Sequence, residues 1–300
     1  MNTRPPGWRV DLSLLAVTFI WGSTFILVKE ALAGVSIMLF LTLRFTIAAL
    51  ALAFLFRKQF RGPNVAHSVR IGILAGVFLF SGYVLQTFGL KYTTASKAGF
   101  ITGLSVALVP LFAAAIYKKP PRIAELMGVA MAFVGMALMT IQADILEMNR
   151  GDLLVLACAV VYAFHILTLG RYSAETNLGV LATVQIATGA VLGACTYWWA
   201  EPSRFQGTLT VWSALAITSL FATAMAFSVQ AWAQRYISAT RTALIFASEP
   251  VFAWGTSYVV AGETLSGRGI AGALLILAGI LLVELKPMSI RRHQSAETGL

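Results

Sequence analysis

Ten runs of roughly 18 to 23 mostly apolar residues follow one another along this chain, at 11–29, 36–56, 70–90, 97–117, 123–142, 152–170, 178–199, 209–231, 239–261 and 268–285. A helix rises about 1.5 Å per residue, so about 20 such residues cover a hydrocarbon core about 30 Å thick. The pattern predicts an all-α, polytopic membrane protein of ten transmembrane helices. Composition agrees: 58% hydrophobic with only 11% charged residues could not keep a soluble domain of 300 residues dispersed in water. A soluble enzyme is therefore not expected, and the lipid bilayer is the expected surrounding.

The formal charge of +10 would point to nucleic acid in a soluble protein, so its placement decides its meaning. Ten crossings return the chain to its starting side. The termini side then collects Arg4, Arg9, Arg57, Lys58, Arg61, Arg70, Lys118, Lys119, Arg122, Arg171, Arg235, Arg241, Lys286, Arg291 and Arg292. The other side holds Lys29, Lys91, Lys97, Arg150, Arg204 and Arg268 against Glu30, Asp144, Glu147, Asp152, Glu201 and Glu263. By the positive-inside rule both termini are expected in the cytoplasm, with no nucleic-acid partner. The first run is not read as a signal peptide, although Ala31-Leu32-Ala33 looks like a cleavage site. It is too long, contains Trp21, and is separated from that site by Lys29-Glu30. Cys158 and Cys195 both fall inside runs, where packing rather than an exported disulfide is their expected role.

The second half repeats the first. At an offset of 141, Asp11-Leu12 matches Asp152-Leu153, Ala16 matches Ala157, Trp21 matches Tyr162, Thr42 matches Thr183 and Arg44 matches Gln185. At an offset of 144, Gln86 matches Gln230, Lys91-Tyr92 matches Arg235-Tyr236, Lys97 matches Arg241, Ile101 matches Ile245, Gly128 matches Gly272 and Gly135 matches Gly279. The expected organisation is one five-helix repeat over 1–145, a second over 146–288, and a cytoplasmic tail over 289–300. An odd number of crossings per unit inverts the second copy relative to the first. Inverted halves around a central site are a recurring route to alternating access, and duplication can also yield a static scaffold.

At this point the residues resemble the drug/metabolite transporter superfamily, specifically its EamA-type members. The resemblance rests on Trp21-Gly22-Ser23-Thr24-Phe25, Arg44-Phe45 and Ala95-Ser96-Lys97-Ala98-Gly99-Phe100 in the first half. In the second half it rests on Glu249-Pro250-Val251, Gly262-Glu263 and Gly272 through Leu282. It implies an inner-membrane exporter or facilitator of small metabolites, with the first, third and fourth spans of each half lining a central cavity. Where the second half has Gly262-Glu263 the first has Lys118-Lys119, a departure that the cytoplasmic position of that basic pair explains.

Helical spacing points to the same faces. Trp21 and Thr24 are three residues apart, as are their counterparts Tyr162 and His165; Tyr83 and Gln86 repeat as Phe227 and Gln230. Four aromatic-plus-polar faces at matching positions are expected to wall one cavity, although each residue alone could equally be packing or bonding a neighbouring helix. His165, an imidazole of the type that titrates near neutrality, could bond a neighbour or carry a proton. The spacings Gly72/Gly76, Gly99/Gly103 and Gly189/Gly193 allow close helix approach. Gly128/Gly135 and Gly272/Gly279 place small patches where a homodimer contact is one expectation. Pro110 and Pro250 are expected to interrupt the fourth and ninth spans.

Two charges inside spans carry the sharpest signal. Arg44 lies about eight residues, or about 12 Å, into the second span, and Glu249 a similar depth into the ninth. Their counterparts, Gln185 and Ser105, are neutral. Glu249 is read as binding substrate or a proton, and Arg44 as structural, either paired with Glu249 or capping carbonyls of kinked helices. No phosphate-binding glycine loop, metal-ligand cluster or Ser/His/Asp set is present, so an enzyme, a cofactor and a bound metal are not expected. The resulting expectation is a secondary transporter exporting small amphiphilic or aromatic metabolites such as amino acids, with Trp21, Thr24, Tyr83, Gln86, Tyr162, His165, Gln230 and Glu249 contacting substrate. A non-transporting membrane scaffold or assembly protein is the alternative.

Overall fold

The structure, a computed structural model, describes Pro5 and residues 7–93, 95–118, 121–140, 149–262 and 266–285. Their regular elements are helices joined by short connections, with no β-strand among the described residues. The helices are α1 (Gly7–Ala31), α2 (Ile37–Phe56), α3 (Val65–Gly89), α4 (Ala95–Gly103), α5 (Ser105–Tyr117), α6 (Ile123–Thr140), α7 (Arg150–Tyr172), α8 (Leu178–Ala200), α9 (Leu209–Ser219), α10 (Ala226–Ala233), α11 (Ala239–Phe246), α12 (Glu249–Ala261) and α13 (Gly267–Leu285). Seven helical stretches are long and apolar enough to cross a membrane, and Ile123–Met139 and Gly267–Val283 are shorter apolar helices. Lys119, Glu263, Asp144, Glu147 and the expected tail lie outside the described residues.

Polar residues start several helices where their amides would otherwise lack partners. Asn149 and Asp152 form a reciprocal capping box on α7. The side chains of Asn177, Thr208 and Ser238 accept from the first-turn amides of α8, α9 and α11.

Three runs that read as continuous are divided. The fourth breaks at Leu104 between α4 and α5, and the ninth at Ala247-Ser248 between α11 and α12. The breaks fall at equivalent positions at the offset of 144, so that Ser105 and Glu249 each open the second piece. This corrects the proline expectation: Pro110 sits inside α5 beyond its break, and Pro250 occupies the first turn of α12, where a missing N–H costs little. The eighth run contains a π-helical turn, Leu220–Met225, between α9 and α10.

The principal helix pairings are α2 with α8, α6 with α13, and α3 with both α7 and α8; α1 packs against α9 through α12. Glycines permit these approaches. The backbone at Gly128 and Gly135 in α6 lies against the Gly279 and Gly272 carbonyls of α13, so the patches read as a dimer contact are occupied within the chain. Gly72 and Gly76 of α3 similarly abut Val184, Gln185 and Thr188 of α8. The main apolar core lies where α2, α3, α8 and α9 meet, around Phe40, Leu41, Phe45, Leu79, Ile186 and Leu215.

Candidate functional site

Between these helix groups lies a cavity of about 930 Å³. Its mouth is rimmed by the end of α1, the start of α2, the end of α3 and the segment after α8, including Lys29, Ser36, Lys91 and Arg204. It ends at buried or half-buried side chains of α5, α7, α10, α11 and α12: Ser105, His165, Gln230, Phe246 and Glu249. The mouth is therefore at the end of the bundle opposite the N-terminus of α1.

The rim is tied together by polar contacts. Ser36 N–H donates to the Arg204 carbonyl at 2.9 Å, and Gln206 N–H to the Gly34 carbonyl at 2.8 Å. Glu201 accepts from the Met38 amide in the first turn of α2 and pairs with Lys91 at 3.5 Å. Its negative charge thus sits at the positive end of the α2 dipole.

All eight residues expected to contact substrate line this one cavity. Trp21 projects from α1, with its ring 5.3 Å from that of Phe227 and 4.9 Å from that of Phe246. Its Nε1 donates to the Ala222 carbonyl at 2.8 Å. Thr24 bonds back to its own helix at the Ile20 carbonyl. Tyr83 of α3 and Tyr162 of α7 meet edge to face at 6.0 Å. Gln86 donates to Thr102 at 3.2 Å, and His165 Nε2 bonds Gln185 Oε1 at 3.1 Å. Gln230 donates to Gln234, whose own amide donates to the Ile166 carbonyl at 2.8 Å. Glu249 reaches the cavity with no hydrogen bond or ion pair among the described residues.

Arg44 also lines this cavity, which spacing did not foretell. It is buried, and its Nε donates to Thr223 Oγ1 at 2.7 Å. Nη2 donates to Tyr83 Oη at 3.0 Å and to the Ala222 carbonyl at 3.4 Å, with the guanidinium 4.8 Å from the Tyr83 ring centre. No ion pair joins Arg44 to Glu249, so the expectation of a mutually neutralising pair is corrected. The carbonyl-bonding half of that expectation is what the geometry shows. Neither Pro110 nor Pro250 lines the cavity; Pro110 borders a second hollow of about 550 Å³, with Tyr117, Gly170, Ser238 and Ala239.

Between the two hollows the bundle is packed shut. Val109, Ala163, Ile166, Leu167 and Ala243 form a buried cluster joining α5, α7 and α11, reinforced by Phe112 and Phe246. Ala239 abuts Gly170, where an added Cβ would stand 3.0 Å from the Ala239 methyl. At the offset of 144, the counterpart of fully buried Ala243 is Gly99, whose Cα side faces open space. Ala243 is thus packed into the sealing cluster where its counterpart Gly99 has no neighbour within 4 Å.

Sequence reasoning missed Phe246, Phe40, Thr87 and Glu201 among the lining residues. Phe246 precedes Glu249 by three residues across a helix break, so simple periodicity could not place the two together. Glu201 follows α8 beyond the apolar run, where an acid in a loop gives no depth signal.

The model of the EamA-like transporter family matches the chain twice, over residues 8–141 and 149–285. An uncharacterized transporter of Archaeoglobus fulgidus is 37% identical over 276 residues, covering 92% of this chain and 86% of its own length. The Bacillus subtilis uncharacterized transporter YyaM is 26% identical, with 91% of this chain and 92% of its own covered. The Escherichia coli uncharacterized inner membrane transporter YedA is 23% identical over 92% and 93% respectively. A crystal structure at 22% identity shares the fold with a TM-score of 0.77, covering 93% of this chain and 97% of that one.

Proposed function

The chain belongs to the EamA-like transporter family, and from that premise we propose that it is a secondary transporter that exports small amphiphilic or aromatic metabolites, amino acids among them, by alternating access. The observation that carries this reading is the single cavity of about 930 Å³ walled by Trp21, Tyr83, Tyr162, Phe227 and Gln230 from both halves of the chain. Aromatic faces suit an apolar body, while Gln86, Gln230, Arg44 and Glu249 suit polar ends.

The proposed architecture is ten crossings in two inverted repeats, 1–145 and 146–288. Support comes from the double family match, the helix breaks at equivalent positions, and the self-matched pairings of α2 with α8 and α6 with α13. With both termini in the cytoplasm of a cell bounded by an inner membrane, the mouth at Lys29 and Arg204 faces outward and the sealed end inward. Substrate would be received when the cluster around Ile166 and Ala243 separates and the Lys29 end closes.

Reconstitution tests this directly. Proteoliposomes loaded with a panel of amino acids and related amphiphiles should release specific members faster than liposomes carrying a Trp21→Ala, Tyr83→Ala double variant. Equal release of every panel member from both would defeat the proposal.

A further inference from the structure

Arg44 presents an unusual combination: a guanidinium buried inside a membrane-spanning bundle, with no carboxylate partner among the described residues, at the wall of the cavity. A charge in such a place is expensive unless something compensates it. Its Nε and Nη2 are occupied by Thr223, Tyr83 and Ala222, while the two hydrogens of Nη1 have no partner among the described residues. The Tyr83 hydroxyl accepts from Arg44, which leaves its own hydrogen to donate toward the same space.

The scaffold that fixes the guanidinium is specific to one half of the chain. In the π-helical turn the Ala226 N–H reaches the carbonyls of Phe221 and Thr223, and the Ala222 carbonyl accepts instead from Trp21 and Arg44. The equivalent stretch of α3 is regular helix, and the position matching Arg44 is the neutral Gln185. The charge is thus an addition to one half rather than a property of the repeat. Among the described residues lining the mouth, Lys29, Lys91 and Arg204 stand with Glu201, an excess of positive charge that would draw an anion inward.

We propose that Arg44 Nη1 and the Tyr83 hydroxyl receive the carboxylate of the transported molecule, making Arg44 the residue that restricts this cavity to organic carboxylates with an apolar or aromatic body. Three hydrogens in one cluster match the two oxygens of a carboxylate. Thr223 and Ala222 are positioning groups, since they hold the guanidinium without facing the ligand. The inference rests on the transporter reading only for the word transported; the binding site stands without it.

Benzoate and benzylamine, alike in shape and opposite in charge, serve as probes of the full chain purified in detergent. Binding is read from thermal stabilisation and from tryptophan fluorescence. The expected result is that benzoate binds and benzylamine does not, with Arg44→Gln weakening benzoate roughly tenfold or more. Tyr83→Phe keeps the ring and should weaken it severalfold; Thr223→Val should do the same while leaving the fold intact. If Arg44→Gln fails to fold, these two variants carry the test. Benzylamine binding as tightly as benzoate, no benzoate binding, or benzoate affinity unchanged in the folded variants would overturn the proposal. Parallel flux measurements separate it from the broader reading: transport confined to uncharged or cationic solutes defeats the carboxylate site alone, whereas Arg44-dependent benzoate binding without movement of any solute defeats the transporter reading alone.

Discussion

Asp11 and Arg241, 230 residues apart, form an ion pair in which Nε and Nη2 of the guanidinium donate to the two carboxylate oxygens. The pair fastens the first helix to the start of α11, beside the buried contact of Val10 and Leu14 with Ala233 and Ile245. Side-chain exposures of 9% for Asp11 and 19% for Arg241 place it between surface and fully buried pairs. Asp11→Asn should therefore lower stability by roughly 1–3 kcal/mol, measured as a shift in thermal unfolding in detergent. An unchanged midpoint would mean the pair adds nothing to cohesion of this face.

Glu249 stands at the inner end of the cavity without a bonded partner among the described residues, beside the break between α11 and α12. Glu249→Gln preserves shape and fixes the neutral state. It should fold, still exchange substrate across proteoliposomes, and lose the dependence of net flux on an imposed pH gradient. Unchanged response to the gradient would remove Glu249 from the coupling mechanism.

Alanine at Trp21, Tyr83 or Tyr162 should reduce flux far more than protein abundance, because these rings face the cavity. Gln230→Ala should reduce both, since Gln230 also bonds Gln234 in the chain that reaches the Ile166 carbonyl. Quantified flux per reconstituted molecule separates the two effects. Normal flux from all four variants would place the substrate elsewhere.

Gly135→Ala should destabilise by roughly 1–3 kcal/mol, because its new methyl would press on the Gly272 backbone carbonyl and Ile276 of α13. Gly99→Ala, into open space, should be tolerated. A reversed order in thermal unfolding would contradict the α6 and α13 pairing.

Single cysteines at Asn64 and Asn149, in a background lacking Cys158 and Cys195, report the orientation proposed for the chain. Impermeant thiol reagents should reach Asn64 from the cytoplasmic side and Asn149 from outside. Labelling of Asn149 from the cytoplasmic side would refute the ten-crossing arrangement with both termini inside.

The sequence by itself determined the helical class, the alignment of the two halves, and which faces carry Trp21, Tyr83, Tyr162 and their polar neighbours. It could do so because the bilayer imposes one rule on every segment, so that length, hydropathy and spacing within a helix are decided locally. Only the tertiary structure decided that Arg44 bonds Thr223, Tyr83 and Ala222 rather than Glu249, since a partner across helices depends on how they pack. It also decided that Gly128 and Gly135 face Gly279 and Gly272 within the chain, and that the breaks fall at Leu104 and Ala247-Ser248 rather than at Pro110. A glycine patch reads the same whether its neighbour belongs to this chain or to another. Likewise, that Ala243 is fully buried while its counterpart Gly99 faces open space depends on packing across helices, which two equivalent positions in sequence leave undetermined.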